Sequence, residues 1–583
     1  MAVMDLIRDT AVGQILRVIT KRKVLQYPEE KDPEIWKKWV SEEKSGNAAR
    51  FGALEPPEEE EADEKSEYEK ENPEDRKGRQ RSADSAATSP TSVADDATVN
   101  ETSGVKVDPE KGMDKTVIHF FEGDPGNPQN WSPRKKYFVT FQICFMTTSI
   151  YIGSAIYTPG VEEVMQVFGV SQVAATLGLC LFVAGYGLGP MIWSPMSEIP
   201  YFGRNPIYMG TLFIFVMLQI PTALASNFGM LLAFRFLTGF FGSPVLATGG
   251  ATIADMYSPR KRAYAMSVWG VAAVCGPTLG PLVGGFAAQA KGWTWTIWEL
   301  MWLSGFAWVF LMLFLPETSA NNILYRRTKR LRQLTGNDKL ICQPELMAES
   351  MSRNEIIQMS LVRPFTLNFT EPMVFLLNLY IALVYGLLYI WFESFPIVFV
   401  GIYGFNLGEQ GLAFLGIFVG ALVIVPPFFW WLHTYLEPKF NENEECQPEL
   451  RLPAACVGGF FIPICLFWFG WSARASVHWM VPIVGSGFFS IGTFLLFNSV
   501  LNYLPDAYPE YAASVLAGND LFRSSFGAGF PLFASAMYKR LGVGWASSLL
   551  AFLSIAFIPI PFVLYKYGAT LRKNYSKHAR KDL

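Results

Sequence analysis

GPTLGPLVGG, residues 276–285, lies inside the fifth of twelve apolar segments in this chain of 583 residues. Its glycines recur at every fourth residue from Gly276 to Gly284, so that on a helix they form one stripe without side chains. Another helix can approach such a stripe to backbone distance. The two prolines beside the stripe each remove a backbone donor and bend the helix, which lipid tolerates only where neighbouring protein satisfies the freed carbonyls. A bent, close-packed helix of this kind predicts a seam between moving parts.

The composition indicates a protein with many membrane spans. Hydrophobic residues make up 51% of the chain and charged residues 17%, although residues 1–130 are strongly polar. The remainder is therefore far more apolar than a soluble domain. An all-α polytopic membrane protein is the fold class that this composition predicts.

The same sequence argues against several kinds of enzyme and pump. Its seven cysteines show no paired ligand spacing, and its four histidines are scattered, so a metal site or a histidine-box oxygenase has no support. No GxxxxGK[ST] stretch occurs, which removes the usual phosphate cradle of an ATP-driven pump. We therefore expect a transporter and not an enzyme, with no metal and no cofactor, that draws its energy from a gradient.

The polar N-terminal region, residues 1–130, has neither a hydrophobic span nor a cleavable signal, so we expect it to stay in the cytosol. Residues 6–24 could form an amphipathic helix with basic residues near its polar face, suited to lying on anionic lipid. A solvated tail is the alternative. Residues 55–107 are acidic and rich in Ser, Thr and Pro, which predicts disorder because they cannot bury enough apolar surface.

Twelve segments are long and apolar enough to cross a membrane, since a span needs roughly 20 residues at about 1.5 Å per residue. The predicted limits are 137–157, 173–195, 206–225, 229–253, 263–288, 294–315, 373–400, 411–433, 452–472, 477–503, 511–537 and 543–566. The predicted domains are the tail 1–130, a six-helix bundle 131–315, a central loop 316–372, a second six-helix bundle 373–567 and a basic tail 568–583.

Lysine and arginine in the loops predict the orientation, because cationic loops are retained on the cytoplasmic side. One face receives Arg204, Arg260, Lys261, Arg262, Arg326, Arg327, Lys329, Arg330, Arg332, Lys566, Arg572, Lys573, Arg580 and Lys581. The opposite face receives only Lys291, Arg474, Lys539 and Arg540. Both termini and the central loop are therefore expected in the cytoplasm. A six-plus-six layout around a shared central cavity is a recurrent plan among transporters.

An ordered set of motifs resembles the major facilitator superfamily, and within it the twelve-span drug:proton antiporters of the fungal azole and benomyl resistance branch. The strings, in chain order, are DPGNPQNWSPRKK, GPMIWSPMSE, RFLTG, GPTLGPLVGG, PETSANNILYRR, RPF and EPMVFLLNLYIALVYGLLYIWFESFP. The resemblance extends from Asp124 to the C-terminus. It implies a plasma-membrane exporter that works by alternating access, uses the proton gradient and confers multidrug resistance.

The loop after span two resembles the superfamily's cytoplasmic gate. The matching residues are Gly189, Glu198, Gly203 and Arg204. An acid and an arginine there can pair with neighbouring helix ends and hold the cytoplasmic side shut. This chain departs from the pattern, because residues 199–202 lengthen the spacing and Asn205 replaces a second basic residue. Retention of the loop by Arg204 is the simpler alternative.

Arg235 lies in span four among apolar residues, where an uncompensated cation costs at least about 2.5 kcal/mol. The resemblance implies a role in proton coupling for Arg235, with Asp255 as the matching acid at the cytoplasmic end of the same span. Twenty residues of one helix extend about 30 Å, so the two cannot be direct partners. Asp255 could instead solubilise the helix end close to Arg260.

Asp520 and Arg523 in span eleven are three residues apart, which makes them neighbours on one helical face. Mutual neutralisation predicts a structural ion pair. Proton carriage is the alternative.

Aromatic side chains are the predicted substrate-binding groups. Three faces carry them: Asn378, Tyr385, Tyr389 and Phe392 in span seven, Phe494, Phe497 and Asn498 in span ten, and Asn519, Phe522 and Phe526 in span eleven. Such faces bind flat, neutral or weakly basic molecules through contact area and, for cations, through quadrupole attraction. The alternative for any one phenylalanine is packing or contact with lipid, although amides are poorly placed against lipid.

GPTLGPLVGG, residues 276–285, is in the resembled family a signature of exporters. Its residues are Gly276, Pro277, Gly280, Pro281, Gly284 and Gly285. We expect the stripe to seat against the small residues 416–420 of span eight, so that it seals one side while the cavity opens on the other. Generic helix packing is the alternative.

These features predict a proton-driven exporter of hydrophobic or weakly cationic drugs and fungicides. A polyamine exporter of the same branch and a proton-coupled nutrient importer are the alternatives, with a non-transporting sensor third. The expected partners are small-molecule drugs, protons and the lipid bilayer, with no nucleic acid, and the expected oligomeric state is a monomer.

Overall fold

The computed structural model describes residues 7–31, 116–350, 355, 358–442 and 444–582. Within these residues the protein is almost entirely helical, with one pair of short strands. The first half contains the helices Pro133–Ala155 (span one), Gln172–Leu188 with Pro190–Glu198 (span two), Asn205–Ala223 (span three), Phe228–Gly242 with Pro244–Met256 (span four), Pro259–Lys291 (span five) and Trp293–Phe314 (span six).

The second half repeats this plan. Its helices are Pro372–Phe395 (span seven), Leu407–Ala413 with Leu415–Trp431 (span eight), Pro453–Ser472 (span nine), Met480–Ala507 (span ten), Ala512–Phe557 and Pro559–Asn574. Eleven helices of the described residues are long and apolar enough to span a membrane, and the last of them covers Ser514–Asn574.

That last helix is two spans joined by a bend. Its 61 residues would extend about 90 Å, roughly three times the thickness of the hydrocarbon core. The bend falls at Gly542, whose φ of 73° is in the left-handed region that favours glycine. Span eleven therefore ends before Gly542 and span twelve follows it, which confirms the twelve spans predicted from the sequence. The predicted limits agree with the helices except that several helices are longer at their ends.

The contacts between spans follow the same rule in both halves. Span one packs on span five and span two on span four, as span seven packs on span eleven and span eight on span ten. The two halves meet where span two contacts span eleven and where span five contacts span eight. These two contacts are equivalent by the repeat, which makes the seam between the halves approximately symmetric.

The glycine stripe of span five packs against span one of its own half. A Cβ added at Gly276 would lie 2.3 Å from the Tyr151 Cβ, and one added at Gly284 would lie 2.4 Å from the carbonyl oxygen of Ile156. The prediction that the stripe seats against residues 416–420 is wrong, because Gly416 and Gly420 pack on span ten instead.

The opposite edge of the same motif does reach the second half. A Cβ at Gly285 would lie 2.4 Å from the carbonyl oxygen of Leu407, and one at Gly411 would lie 2.5 Å from that of Pro281. Span five therefore touches span one on one side and the start of span eight on the other, with backbone at contact distance in both places. This double contact explains why side chains are missing on two sides of one helix.

The predicted central loop is largely folded. It forms the helix Ala320–Thr335, and the strand Leu340–Cys342 pairs in parallel with Thr116–Ile118 from the region before span one. Arg327 of this helix forms an ion pair with Asp124, at 2.5 Å. The loop thereby fixes the segment that leads into the first span.

The N-terminal segment contains a helix over Ala11–Ile19, inside the predicted range 6–24. Its Arg17 is buried in an ion pair with Glu30, whereas Val18 and Ile19 are exposed. Apolar residues that face outward at this end fit a helix at the lipid surface. The segment is joined to the central loop through a bridge between Thr10 and Pro316. The region predicted to be disordered, residues 55–107, lies outside the described residues.

The C-terminal tail docks at the start of span seven. Glu371 accepts hydrogen bonds from the Ser576 hydroxyl at 2.5 Å and from the backbone nitrogens of Lys577 and His578. Burial alone would raise the pKa of Glu371, but these hydrogen bonds outweigh it and hold the pKa below its ordinary value. The C-terminal tail thus lies at the same end of the spans as the start of span seven. We call this end cytoplasmic, following the basic loops, and the other end the outer end.

A methyl group in the glycine stripe should destabilise the protein. We expect Gly276→Ala to cost about 1–3 kcal/mol because spans one and five would have to separate. Gly210→Ala in span three is the matched control, since a Cβ there meets no atom within 4 Å. The midpoint temperature of unfolding in detergent, followed by fluorescence-detected size exclusion, should fall for Gly276→Ala and stay constant for Gly210→Ala. Equal midpoints would contradict this account of the stripe.

Candidate functional site

A cluster of tyrosines joins the two halves at mid-height. The Tyr186 hydroxyl of span two lies 2.5 Å from that of Tyr385 and 2.8 Å from that of Tyr389, both in span seven. Tyr389 also donates to the Ser154 hydroxyl of span one, at 3.1 Å. Hydroxyls that each donate and accept form this contact without any charge. Tyr385 and Tyr389 were predicted substrate residues, whereas Tyr186 was missed because a lone tyrosine in an apolar span carries no local signal.

The predicted ion pair of span eleven lies beside this cluster. Arg523 forms a buried ion pair with Asp520 on the same helix. The Arg523 guanidinium also donates to the Tyr151 hydroxyl of the first half, at 3.2 Å, and its carbon lies 5.5 Å from the centre of the Tyr385 ring. The pair therefore neutralises itself within span eleven and links the two halves through Tyr151.

The predicted aromatic faces are only partly brought together. Phe392 lies 5.2 Å from Tyr389, between ring centres, and Phe497 lies 6.3 Å from Tyr385. The other three pack in separate places: Phe494 on Phe428 of span eight, Phe522 on Phe369 and Phe375, and Phe526 on Phe530. These residues therefore do not form a single aromatic surface in this conformation.

The predicted amides are occupied by contacts within the second half. Asn519 donates to the Asn378 side chain at 2.7 Å, and Asn378 donates in turn to Asn368 at 2.8 Å. This amide chain joins spans seven and eleven to the helix Arg363–Thr370. Asn498 donates to the Phe494 carbonyl and lies against Gly270 of span five. In this conformation Asn378 and Asn519 support packing, and only Asn498 faces the other half.

Arg235 is fully buried and bound to backbone. It donates to the carbonyl oxygens of Gly178 and Gly153, at 2.9 and 3.0 Å, and stacks over the rings of Tyr157 and Phe182. It thereby ties spans one, two and four together inside the first half. No carboxylate pairs with it among the described residues, so its contacts agree with the expectation that Asp255 is not its direct partner.

The gate residues and Asp255 belong to one cluster at the cytoplasmic end. The Arg204 guanidinium donates to the Asp255 carboxylate at 2.6 Å and to the Ser197 hydroxyl at 3.3 Å. Its backbone nitrogen donates to Glu317, which follows span six. The acid that pairs with Arg204 is therefore Asp255 and not Glu198, which is exposed and forms no ion pair in the described part of the chain.

Glycine is required on both sides of this cluster. Gly203 has a φ of 75°, and a Cβ there would lie 2.6 Å from Glu317. A Cβ at Gly189 would lie 2.0 Å from the Ser243 hydroxyl of span four. The predicted gate motif thus holds spans two, three, four and six of the first half close together. Asp255 pairs with this gate and not with Arg260, which lies 3.4 Å from Glu437.

Ion pairs also close the seam between the halves at the cytoplasmic end. Lys261 at the start of span five pairs with Glu437 after span eight, and Tyr264 donates to the same carboxylate at 3.0 Å. Arg262 lies 3.7 Å from Asp506 at the end of span ten. These basic residues were predicted only as signals of orientation, and the structure gives them partners in the other half.

At the outer end the seam is closed by a carboxyl group that the sequence reasoning missed. Glu393 of span seven accepts hydrogen bonds from Thr176 and Gln172 of span two, at 3.3 and 3.4 Å. An acidic residue inside a long apolar segment was the signal that could have found it. The halves are therefore in contact at the cytoplasmic end, at mid-height and at the outer end, which is a closed conformation.

An apolar groove of the second half lies away from these residues. It has a volume of about 790 Å³ and runs between spans eight and ten, past Gly416, Gly420 and Gly487. Two of its apolar side chains, Val419 and Val423, are more than half exposed. Because none of the predicted substrate residues lines it, we do not assign it to the substrate.

Two similar six-span halves that meet along a single seam are the plan of a membrane transporter. The chain belongs to the major facilitator superfamily, whose family model matches residues 143–531. Transporter mfs1 of Schizosaccharomyces pombe is 49% identical over 79% of this chain and 87% of its own length. Fluconazole resistance protein 1 of Saccharomyces cerevisiae is 42% identical over 83% of this chain and 88% of its own.

Two further comparisons agree with this family. Cycloheximide resistance protein of Candida maltosa is 41% identical over 79% of this chain and 85% of its own length. Among solved structures, the proton:xylose symporter XylE aligns with a TM-score of 0.53 at 15% identity, over 75% of this chain and 96% of its own. The structural likeness supports the major facilitator fold alone, whereas the sequence relatives confirm the predicted branch.

The ion pair of span eleven should behave as a unit. Arg523→Gln alone would leave the Asp520 carboxylate buried without a cation, and we expect a loss of about 3–5 kcal/mol. Asp520→Asn alone should also destabilise, and the double variant should recover much of the loss because it buries no charge. Unfolding midpoints of the four proteins form a double-mutant cycle. Additive losses would show that the two side chains do not stabilise each other.

Proposed function

We propose that this protein exports hydrophobic or weakly cationic drugs and fungicides across the plasma membrane in exchange for protons. Support comes from relatives named for multidrug, fluconazole and cycloheximide resistance, which align over about four-fifths of this chain. The observation that carries the proposal is the position of the GPTLGPLVGG stretch. It holds span five against span one of its own half and against the start of span eight of the other half.

Alternating access requires that the seam open at one end while it stays closed at the other. The cytoplasmic contacts of Lys261 and Arg262 and the outer contacts of Glu393 are the groups that would separate. Each half would move as a rigid unit, because contacts within it, such as that of the glycine stripe with span one, would be kept. A drug that enters from the cytosol would then displace the tyrosine cluster at mid-height.

The neutral tyrosine cluster suits the proposed substrates. Tyr385, Tyr389, Phe392 and Phe497 present ring faces, and their neighbour Tyr186 adds a hydroxyl from the other half. Rings contribute contact area without a fixed hydrogen-bond pattern, and they attract cations through the ring quadrupole. Asp520, the acid beside this cluster, is neutralised by Arg523, and Glu393 lies one helical turn beyond Tyr389 towards the outer end. A polyamine, with several charges to compensate, would be poorly bound here.

Proton coupling is proposed to act through Asp255, with Arg235 supporting the fold of the same half. Protonation of Asp255 would remove the negative partner of Arg204 and weaken the gate cluster that Glu317 completes. A proton that binds the two conformations unequally changes their ratio, which is the requirement for coupling. The gate would in this way transmit the proton's effect to spans two, three and four.

Coupled fluxes in proteoliposomes test the direction of transport. With an imposed pH gradient, we expect a fluorescent hydrophobic cation such as rhodamine 6G to move opposite to protons. Both fluxes are to be recorded together, with protein-free liposomes as the control for leakage. Movement of drug and proton in the same direction would support an importer, and the absence of either flux would exclude a transporter for this substrate class.

Asp255→Asn tests the proposed coupling group. The amide keeps the size of the side chain but cannot lose a proton, so gradient-driven accumulation of the dye should be abolished. Binding of the dye, measured by fluorescence anisotropy in detergent, should remain. Glu162→Asn, at an exposed acidic position of the helix Val161–Phe168, is a matched control that should pump normally. Unchanged pumping by Asp255→Asn would remove Asp255 from the mechanism.

A further inference from the structure

Glu393 is a buried carboxyl group whose hydrogen-bond donors are neutral. Only 9% of the residue is exposed, and it lies near the outer end of span seven. Its hydrogen-bond donors are the Thr176 hydroxyl and the Gln172 amide, at 3.3 and 3.4 Å. Neither donor carries a charge, and both distances are long for a carboxylate, whose bonds to charged donors are usually about 2.7–2.9 Å. Glu393 forms no ion pair with the described residues.

The other acids within the spans have different surroundings. Asp255 is bound by Arg204 and Asp520 by Arg523, so both carboxylates are compensated in this closed conformation. Glu299 is half-buried on span six, whose main contacts are with spans one, three and five of its own half. Glu393 is therefore the acid of the described spans that combines burial in the seam with the lack of an arginine. An ionised carboxylate in such a place loses its hydration without gaining a cation, and binding a proton removes that cost.

The charged and titratable groups that face Glu393 are few. Lys539 of span eleven is exposed and donates to the Gln172 side-chain oxygen at 3.0 Å, and its positive charge also attracts the Glu393 carboxylate across this distance from solvent. The Ser535 hydroxyl donates to the same oxygen, at 3.2 Å. Cys180 of span two is the other titratable side chain near Glu393. The Gln172 side chain thus accepts hydrogen bonds from Ser535 and Lys539 of span eleven and donates one to Glu393. These bonds hold spans two, seven and eleven together.

This contact is one that must break when the outer end opens. Thr176 and Gln172 belong to the first half, whereas Glu393, Ser535 and Lys539 belong to the second. Opening would expose Glu393 to water, where the ionised form is well solvated. Closing would return it to a neutral environment. The protonation state of Glu393 and the opening of the outer end are therefore linked by thermodynamic necessity.

We propose that Glu393 binds the exchanged proton at the outer end and that its neutral form closes that end of the seam. This inference rests on the proposed proton-coupled export. In the outward-open state the carboxylate takes a proton from the medium, and the neutral acid is then buried against Thr176 and Gln172. The acid hydroxyl can donate to the Thr176 hydroxyl oxygen while the other carboxyl oxygen accepts from the Gln172 amide, so the closed contact needs no cation. The direction is that of an exporter, because acid outside favours the state that closes outward.

A line of hydroxyls leads from Glu393 towards the middle of the seam. Tyr389 and Tyr385 precede it by four and eight residues, which places all three on one face of span seven. Their hydroxyls contact Tyr186, and Tyr389 also contacts Ser154. The outer proton site and the proposed drug site are thereby adjacent parts of one polar line. Binding of a drug among the tyrosines would act on Glu393 through its neighbours on the same helix.

Infrared difference spectroscopy tests proton binding without any substrate. The full-length protein in nanodiscs, titrated from acidic to alkaline pH, should lose a protonated-carboxyl band that Glu393→Gln lacks at every pH. Glu162→Gln, at the exposed acidic position, should keep the band. Glu393→Asp retains a carboxyl group and should show a band at a shifted position. An unchanged band in Glu393→Gln would overturn the assignment.

Transport in proteoliposomes tests the second part of the inference. Glu393→Gln is a neutral mimic of the protonated acid, so we expect dye counterflow without a gradient to persist while the gradient-driven accumulation is lost. Glu162→Gln should retain both activities, and Glu393→Asp should recover part of the gradient response. A Glu393→Gln variant that responds to the gradient like Glu162→Gln would refute the coupling role. If the wild type shows the carboxyl band but moves no dye, the proposed export fails while the proton site stands.

Discussion

The arrangement of the two halves depends on how closely span five can approach its neighbours on two sides. Along the stripe it touches span one at backbone distance, and at Pro281 and Gly285 it touches the start of span eight. In lipid there is no hydrophobic force between helices, so their association rests on dispersion contacts that weaken quickly with distance. Span one belongs to the same half as span five, whereas span eight belongs to the other. The contact with span eight is therefore the one at which the halves can part.

Charge is distributed unequally between the two ends of the seam. At the cytoplasmic end, Glu437 and Asp506 each meet a basic residue of span five. At the outer end, Glu393 meets only neutral donors of span two. Ion pairs of the first kind persist over a wide range of pH, whereas a carboxyl group among neutral donors changes its interactions when it gains or loses a proton. An acidic exterior therefore acts on one end and leaves the other largely unaffected.

The sequence predicts features that lie within one segment, but it does not predict which residues of different spans contact each other. The spans were found because length and apolarity are properties of a single segment, and Asp520 with Arg523 because three residues bring two side chains together on any helix. The partners of the glycine stripe and of Asp255 lie on other spans, so their identity depends on an arrangement that spacing does not contain. Arg235 binds carbonyl oxygens, which every residue possesses, and its partners therefore leave no trace in the sequence.

The amides and the tyrosines differ in how easily they can exchange partners, and this difference separates the packing residues from the binding residues. Asn378 accepts from Asn519 and donates to Asn368, so a ligand that broke this chain would leave several buried groups unsatisfied. A tyrosine hydroxyl rotates and can either donate or accept. A ligand that enters between Tyr186 and Tyr389 needs to replace only one such contact. For this reason we propose that the cluster that joins the halves is also the part of the seam that admits molecules of varied shape.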